Sequence, residues 1–406
     1  MAHYSSSGLS FLPGPGHTAA ATTSALTPKI WDKILHEQVQ NKSFWKNMTG
    51  KDKAGEGSLD NDISNFPIVQ KTDLKKSSGD RIRVGLVKAV NLTDETTFTY
   101  WNYGKVTGQE LIDAESSLTF YYQSVPVALY RDGVLIENEM SFQNSPFDLQ
   151  KVAVDALSNK LNYYRDSGFF SAFYAKYSPE VVRTLASASS VAHPNMLYGK
   201  NKTALTEVDS NDLVDCDLLE RLAVYQKINH IAPIGDGQLM FIVHPYGTKT
   251  LRADSAWFDA QKGAAPRSKE NAIFTGEVGN YAGIHLFEDT RISSAKEYGS
   301  LTITTYAVAS AFTASSMGNI AATDARMNLL IGANAMTEAF AKETFMRRRK
   351  EDDYGEKSGF GGGFIRGAMR ADYLPDMSSS TTAVNQSSAV IYSYSPSPIG
   401  NVSAIW

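Results

Sequence analysis

Ser293 and Lys296 form a Ser-x-x-Lys pattern, in which a lysine amine can activate a serine hydroxyl as a nucleophile. The Ser-Asp-Asn and Lys-Thr-Gly companions of that chemistry are missing, and no group can be named to orient the base. A polar turn beside a strand is therefore the simpler reading. Gly359-Phe360-Gly361-Gly362-Gly363 has the glycine content of a phosphate-cradling loop, but no Lys-Ser/Thr pair follows it. Such glycines also mark a bend or a close backbone approach in a sheet. Asp60-Asn61-Asp62 opens like a calcium loop, yet Asn65 stands where Gly is needed and Lys71 where Glu is needed. The seven histidines, at 3, 17, 36, 193, 230, 244 and 285, include no pair at metal-ligand spacing. His244 precedes Pro245 where a strand meets a helix, so it caps or packs. Cys216, the single cysteine, lies among Leu213, Leu219 and Leu222 and reads as a buried structural thiol. No catalytic residue, cofactor or metal is expected.

The local charge signal is Arg347-Arg348-Arg349-Lys350. It reads as a solvated or locally paired helix end, where cations face the negative pole of the dipole, as a contact between subunits, or as a DNA contact. Glu351-Asp352-Asp353 follows directly and offsets the charge, which weakens the DNA reading and favours ion pairing.

The elements that position these residues follow from pattern. Residues 1 to 26 are Ser, Gly, Ala, Thr and Pro with little to bury, the composition of a flexible arm. Thr27-Pro28 caps a short helix through Val39. Phe66 to Val69 is strand-like. Ile82, Val84 and Leu86 alternate with polar or small residues, and a second alternating strand begins at Leu118, so the two read as a long two-stranded projection. Ser145-Pro146-Phe147-Asp148 starts the strongest helix, expected over 146–166 with a break or kink at Gly168. From Asn211 the elements shorten: a helix over 213–225, a strand over 239–243, a helix from Pro245, a hairpin-like segment over 271–288, an alternation over 301–312 and an Ala/Leu-rich helix over 324–342. A strand at 389–394 precedes a Ser-Pro-rich end.

The chain carries 39 Lys+Arg against 43 Asp+Glu, a net charge of -4, which excludes a wholesale basic coat on nucleic acid. One cysteine excludes a disulfide framework. No apolar run approaches 18 residues, so no membrane span is expected, and the first residues lack the basic and apolar parts of a signal peptide. The protein reads as cytoplasmic.

A further pattern spans the chain. Ile231-Ala232-Pro233-Ile234-Gly235 leads to Leu239-Met240-Phe241-Ile242-Val243-His244-Pro245, then Leu251-Arg252-Ala253-Asp254-Ser255-Ala256-Trp257. Next come Asn271-Ala272-Ile273-Phe274-Thr275-Gly276, Gly279-Asn280-Tyr281-Ala282-Gly283-Ile284 and Glu288-Asp289. In order and spacing this resembles the major capsid proteins of tailed bacteriophages, in particular those of N-four-like phages. Gly108-Gln109-Glu110-Leu111, Leu329-Leu330-Ile331-Gly332-Ala333-Asn334-Ala335 and Gly367-Ala368-Met369-Arg370 extend the match over about 27–395.

The resemblance implies an α+β chain of the Hong Kong 97-type fold. It implies an N-terminal arm and short helix at 1–45, an extended loop at 78–130, and a peripheral domain at 131–205 and 345–398 with its spine helix at about 146–166. An axial α/β domain at 211–342 and a C-terminal tail at 399–406 complete it. The implied function is self-assembly into hexamers and pentamers of an icosahedral shell, built in the host cytoplasm and carried in the virion. The shell would enclose double-stranded DNA without sequence-specific binding and without membrane. The implied partners are other copies of the chain, a separate scaffolding protein, a portal and a decoration protein. Candidate subunit contacts are Arg81, Arg83, Tyr100, Trp101 and Tyr103 on the projection, and Arg347, Arg348, Arg349, Glu351, Asp352 and Asp353. The lysine and asparagine of covalently cross-linked shells do not align, so no cross-link is expected. A phage tail or decoration protein, or a cytoplasmic serine–lysine hydrolase using Ser293 and Lys296, stands as the alternative.

Overall fold

The computed structural model describes residues 43–51, 66–72, 74, 79–87, 120–136, 149–174, 195–200, 202–234, 237–264, 279–295, 320–321, 323–349, 358–375 and 387–397. The arm, the 27–39 helix, the calcium-like loop, the 301–312 alternation and the extreme C-terminus lie outside them, as do Lys296, Tyr100, Trp101, Tyr103, Lys350, Glu351, Asp352 and Asp353.

Three sheets and one long helix form the frame. The strands are β1 (Thr49–Lys51), β2 (Ile68–Lys71), β3 (Arg81–Val87), β4 (Phe120–Pro126), β5 (Ala128–Ile136), β6 (Met196–Tyr198), β7 (Leu239–Val243), β8 (Asn280–Tyr281), β9 (Ile284–Glu288), β10 (Ala325–Ile331), β11 (Met336–Arg348), β12 (Ser358–Arg370), β13 (Leu374–Pro375) and β14 (Ser388–Tyr394). The helices are α1 (Leu149–Tyr174), α2 (Cys216–Ile228), α3 (Pro245–Ala253) and α4 (Ser255–Ala264). A five-stranded sheet runs β1-β2-β11-β12-β5, a six-stranded sheet β6-β14-β10-β7-β9-β8, and a small sheet β13-β4-β3.

The six-stranded sheet is buried on both faces, which explains its continuous apolar strands. Leu239, Phe241 and Val243 of β7 face Leu219, Leu222, Leu251 and Trp257 of the three helices. Met240 and Ile242 face the other way, into a core with Trp45, Phe169, Phe170, Phe173 and Tyr174. Strand β10 does the same with Leu330 on the first face and Met327, Leu329 and Ile331 on the second. The helix expected over 324–342 is thus two strands, β10 and β11. Leu329, Leu330 and Ile331 are all buried, so their run carries no helical stripe. Between the strands, Asn334 turns the chain at φ 54°, and a side chain at Gly332 would sit 2.5 Å from the Ala232 carbonyl.

Helix α1 differs from expectation in length. It runs as one helix through Gly168 to Tyr174, so no break separates the two segments. Its first half packs Ala153, Val154, Leu157 and Leu161 on Met346, Phe360 and Phe364 of β11 and β12. Its second half enters the Trp45 core. Burying the aromatic side chains beyond Gly168, each worth roughly 1.5–3 kcal/mol, outweighs the roughly 1 kcal/mol that a helical glycine costs.

Three expected divisions also change. Strand β14 is not grouped with the spine helix: it lies between β10 and β6 in the six-stranded sheet. Strand β11 crosses the 342–345 boundary and ties the two large sheets through the short turn after β10. Residue 130 falls inside β5, which belongs to the five-stranded sheet. Over 358–370 the glycine-rich segment is a strand, and a Cβ at Gly359 would come within 2.7 Å of the Val134 carbonyl. Those glycines permit close backbone approach rather than cradle a phosphate.

Candidate subunit-contact surface

Strands β3 and β4 pair antiparallel from Arg81 opposite Pro126 to Val87 opposite Phe120, so the expected two-stranded projection is formed at its base. Ile82 and Val125 bury against Ala339 and Met369, which seats that base on the body. On the opposite face, Arg83 is exposed with its guanidinium 5.8 Å from the Tyr122 ring centre. Arg81 lies 3.4 Å from Asp80, a surface pair worth little on its own.

A buried polar joint fixes the base. The Gln123 side-chain amide donates to the Arg370 carbonyl. The Arg370 guanidinium pairs with Asp372 and donates to the Phe173 carbonyl at 2.8 Å. The projection, β12 and the end of α1 are therefore one hydrogen-bonded unit. A second joint sits nearby. Asp166 of α1 accepts from the Ser43 hydroxyl at 2.6 Å, the Phe44 amide at 3.0 Å and Arg291 at 2.7 Å. Arg291 also chelates Asp289. Burial opposes its charge, but the two carboxylates outweigh that and raise its pKa.

The basic cluster stands at a strand end rather than a helix end, so no helix dipole acts on it. Arg347 and Arg348 close β11, and the Arg349 amide donates to the Gly359 carbonyl at 2.9 Å. All three side chains are exposed. The β11-β12-β5 order brings Arg131 to the same groove, floored by Gly133, Gly359 and Gly361. Pattern reading missed Arg131, because only the strand order connects positions this far apart in sequence. Beside it, edge strand β5 exposes Leu129, Tyr130 and Leu135.

The residues first considered for chemistry take structural roles where they are described. The Ser293 carbonyl accepts from the Met327 amide at 3.0 Å, in an irregular segment beside β10. Burial, then the Asp254 carboxylate, pushes the Cys216 thiol up to about 12, far from a reactive thiolate. Among the described residues no group of three His, Cys, Asp or Glu side chains could hold a metal ion. None of their helices is long and apolar enough to cross a membrane.

His244 caps α3, its Nδ1 accepting from the Tyr246 amide at 3.2 Å. Burial, then repulsion by Arg326, lowers its pKa to about 4, against the attraction of Asp289. A histidine held neutral in the folded state stabilises above the unfolded value near 6.5, and that stability is lost as pH falls toward 4. At about 1.4 kcal/mol per pH unit, the loss is about 3 kcal/mol. His244→Asn keeps a capping oxygen without titrating, so unfolding measured between pH 7 and 4 should show this much less acid sensitivity in the variant. Equal acid profiles for both proteins would contradict the assignment.

The family model for phage capsid protein matches residues 20–397. Among solved structures, the capsid of Ralstonia phage GP4 aligns with TM-score 0.62 and 20% identity over 89% of this chain and 93% of that one. The Cyanophage Pam1 capsid aligns with TM-score 0.63 and 18% identity over 86% and 92%. The capsid of Helicobacter pylori bacteriophage KHP30 gives 0.62 and 15% over 87% and 92%. No curated protein matches the sequence. The matches favour neither the tail or decoration reading nor the hydrolase. A long helix laid on a sheet, a ribbon base locked to that sheet and to the end of that helix, and a second helix-covered sheet make up the Hong Kong 97-type capsid fold, and with nearly its whole length matched the chain belongs to the phage capsid protein family, as a major capsid protein.

Proposed function

We propose that copies of this chain form hexamers and pentamers that close an icosahedral shell around double-stranded DNA, and that the chain catalyses no reaction. The helix-covered six-stranded sheet serves as the axial domain, gathered around the capsomer axis. The β3–β4 ribbon, continuing through 88–119, reaches over a neighbouring subunit. The observation that carries this reading is the anchored ribbon base. Two strands leave the body side by side, and a hydrogen-bonded joint through Gln123 and Arg370 fixes their direction. A lever directed at a neighbour needs such a rigid seat. Edge strand β5, which pairs with β12 alone among the described strands and exposes Leu129 and Tyr130, supplies a second face for another copy to cover. A net charge of -4 suits a wall that encloses DNA without gripping it. A separate scaffolding protein, a portal and a decoration protein complete the particle, which assembles in the host cytoplasm.

Two experiments test this reading. Deleting residues 1–26 should weaken assembled particles while the subunit keeps its own melting temperature, because that segment has little to bury by itself. Particle and subunit melting recorded separately will decide, and an unchanged particle transition would count against the arm's role. Reversing Arg347, Arg348 and Arg349 to glutamate should impair assembly even without DNA, since the cluster pairs with acidic groups of this or a neighbouring copy. Normal empty shells from that variant would refute the contact.

A further inference from the structure

A large apolar groove opens beside the start of the described residues. Its volume is about 650 Å³, within the roughly 300–1,000 Å³ of clefts that take a whole ligand. Phe44 and Met48 reach it from the first described segment, Phe66 and Pro67 from the approach to β2, and Ile234 and Phe287 from the turn before β7 and from β9. Of the described residues that line it, only Asn47, Gln238 and His285 are polar. Phe44, Met48, Ile234 and Phe287 are each half-buried, so apolar surface around the groove stays accessible.

The lining is held in place by bonds of its own. The Ser43 hydroxyl and the Phe44 amide both donate to Asp166, at 2.6 and 3.0 Å, which pins the entry of the chain to α1. The Phe44 ring packs against Trp45, Phe170 and Phe287, with ring centres 5.1, 6.0 and 6.4 Å away. The Met336 amide donates to the Pro67 carbonyl at 3.1 Å. The turn before β7 closes twice, from the Gly237 amide to the Ile234 carbonyl at 2.7 Å and from the Ile234 amide to the Gln238 carbonyl at 2.9 Å. Walls fixed in this way lose little freedom when something covers them.

The sequence supplies a segment that fits. Within residues 1–42, the stretch 27–39 carries a regular apolar stripe, with Ile30, Trp31, Ile34, Leu35 and Val39 at helical spacing. Lys29, Asp32, Lys33, His36 and Glu37 fall on the other face, so such a helix has one side to bury and one to leave in water. Its two lysines and two carboxylates cancel, which suits a groove whose described lining holds no Lys, Arg, Asp or Glu. Reach decides between this chain and another. Val39 precedes Ser43 by four residues, at most about 14 Å of extended chain, and Phe44 already lines the groove. So short a tether gives an effective concentration on the order of mM, above that of any free copy in dilute solution.

We propose that residues 27–39 of the same chain dock in this groove as an amphipathic helix, with Ile30, Trp31, Ile34 and Leu35 turned inward. The docked helix covers Phe44, Met48, Ile234 and Phe287 and ties the root of the N-terminal arm to the six-stranded sheet. It also sets the place from which residues 1–26 leave the subunit. The docking belongs to the single subunit and does not rest on shell formation, so either can fail without the other.

The test uses the purified full chain, kept dilute so that it sediments as free subunits, and trypsin, which cuts after Lys29 and Lys33. A docked helix is cut only when it opens, so Ile34→Ser should speed cleavage at these sites at least about tenfold. Met48→Glu, on the groove side, should speed it as much, and its melt confirms that the body folds. Glu37→Gln, on the opposite face of the segment, should leave the rate as in the parent. Ile34→Cys together with Ile234→Cys, bridged by a short bifunctional thiol reagent, should link within one chain. The proposal fails if parent, Ile34→Ser and Met48→Glu chains are cut equally fast, or if Glu37→Gln opens the segment as much as they do. A bridge from position 34 that joins two chains, or none at all, would also overturn it.

Discussion

Glu338→Leu should destabilise the subunit by about 3–5 kcal/mol, enough to unfold much of it at ordinary temperature. The carboxylate is 1% exposed and lies between two guanidiniums that are themselves almost wholly buried. Removing it takes away the buried carboxylate that both guanidiniums approach and strips the Gln70 amide of its acceptor. The loss is therefore the desolvation of two ions, not one hydrogen bond. The same argument fixes the control. Replacing all three charges, as Arg165→Met, Glu338→Leu and Arg366→Met together, removes the buried ions as well as their pairing, and should restore most of the lost stability. Urea unfolding followed by circular dichroism measures both variants. A loss below about 1 kcal/mol in the single variant, or a triple variant no better than the single one, would contradict the account.

Excision of residues 88–119, with β3 joined to β4 by an Asn-Gly turn, should abolish closed particles while leaving a folded subunit. Val87 lies directly opposite Phe120, so a two-residue turn closes the hairpin without changing its register. What holds the base is untouched: Ile82 and Val125 keep their contacts with Ala339 and Met369, and Gln123 keeps the Arg370 carbonyl. The loss should thus appear in assembly alone, as slow-sedimenting monomers or capsomers in place of shells, with a subunit melt within a few degrees of the parent. Shells of normal size from the shortened chain would remove the ribbon from the mechanism.

Much of this frame was legible in the sequence where burial is one-sided or capping is chemical. Pro245 after His244 marked the start of α3, and period-two alternation marked β3. The failures share a cause. Met327 to Ile331 is covered from both sides, so its pattern has no polar face to set a period, and its alanine and leucine neighbours suggested a helix. Gly168 suggested a break because propensity is local, whereas the aromatic residues beyond it are held by Trp45 and β10, far away in the chain. The charged joints were illegible for the same reason. Asp166 meets Ser43 across 123 positions and Gln70 meets Glu338 across 268, distances over which no spacing rule operates. The exposed arginines at 347–349 were visible as a cluster, but Arg131 joined them only through strand order.

The central claim is that the surfaces left open on one subunit are closed by other copies of it. Negative-stain electron microscopy of the purified full chain, alone and with the proposed scaffolding protein, tests this most directly. The account predicts closed shells, or the tubes and capsomer rings of incomplete assembly; a stable monomer under every condition would contradict it.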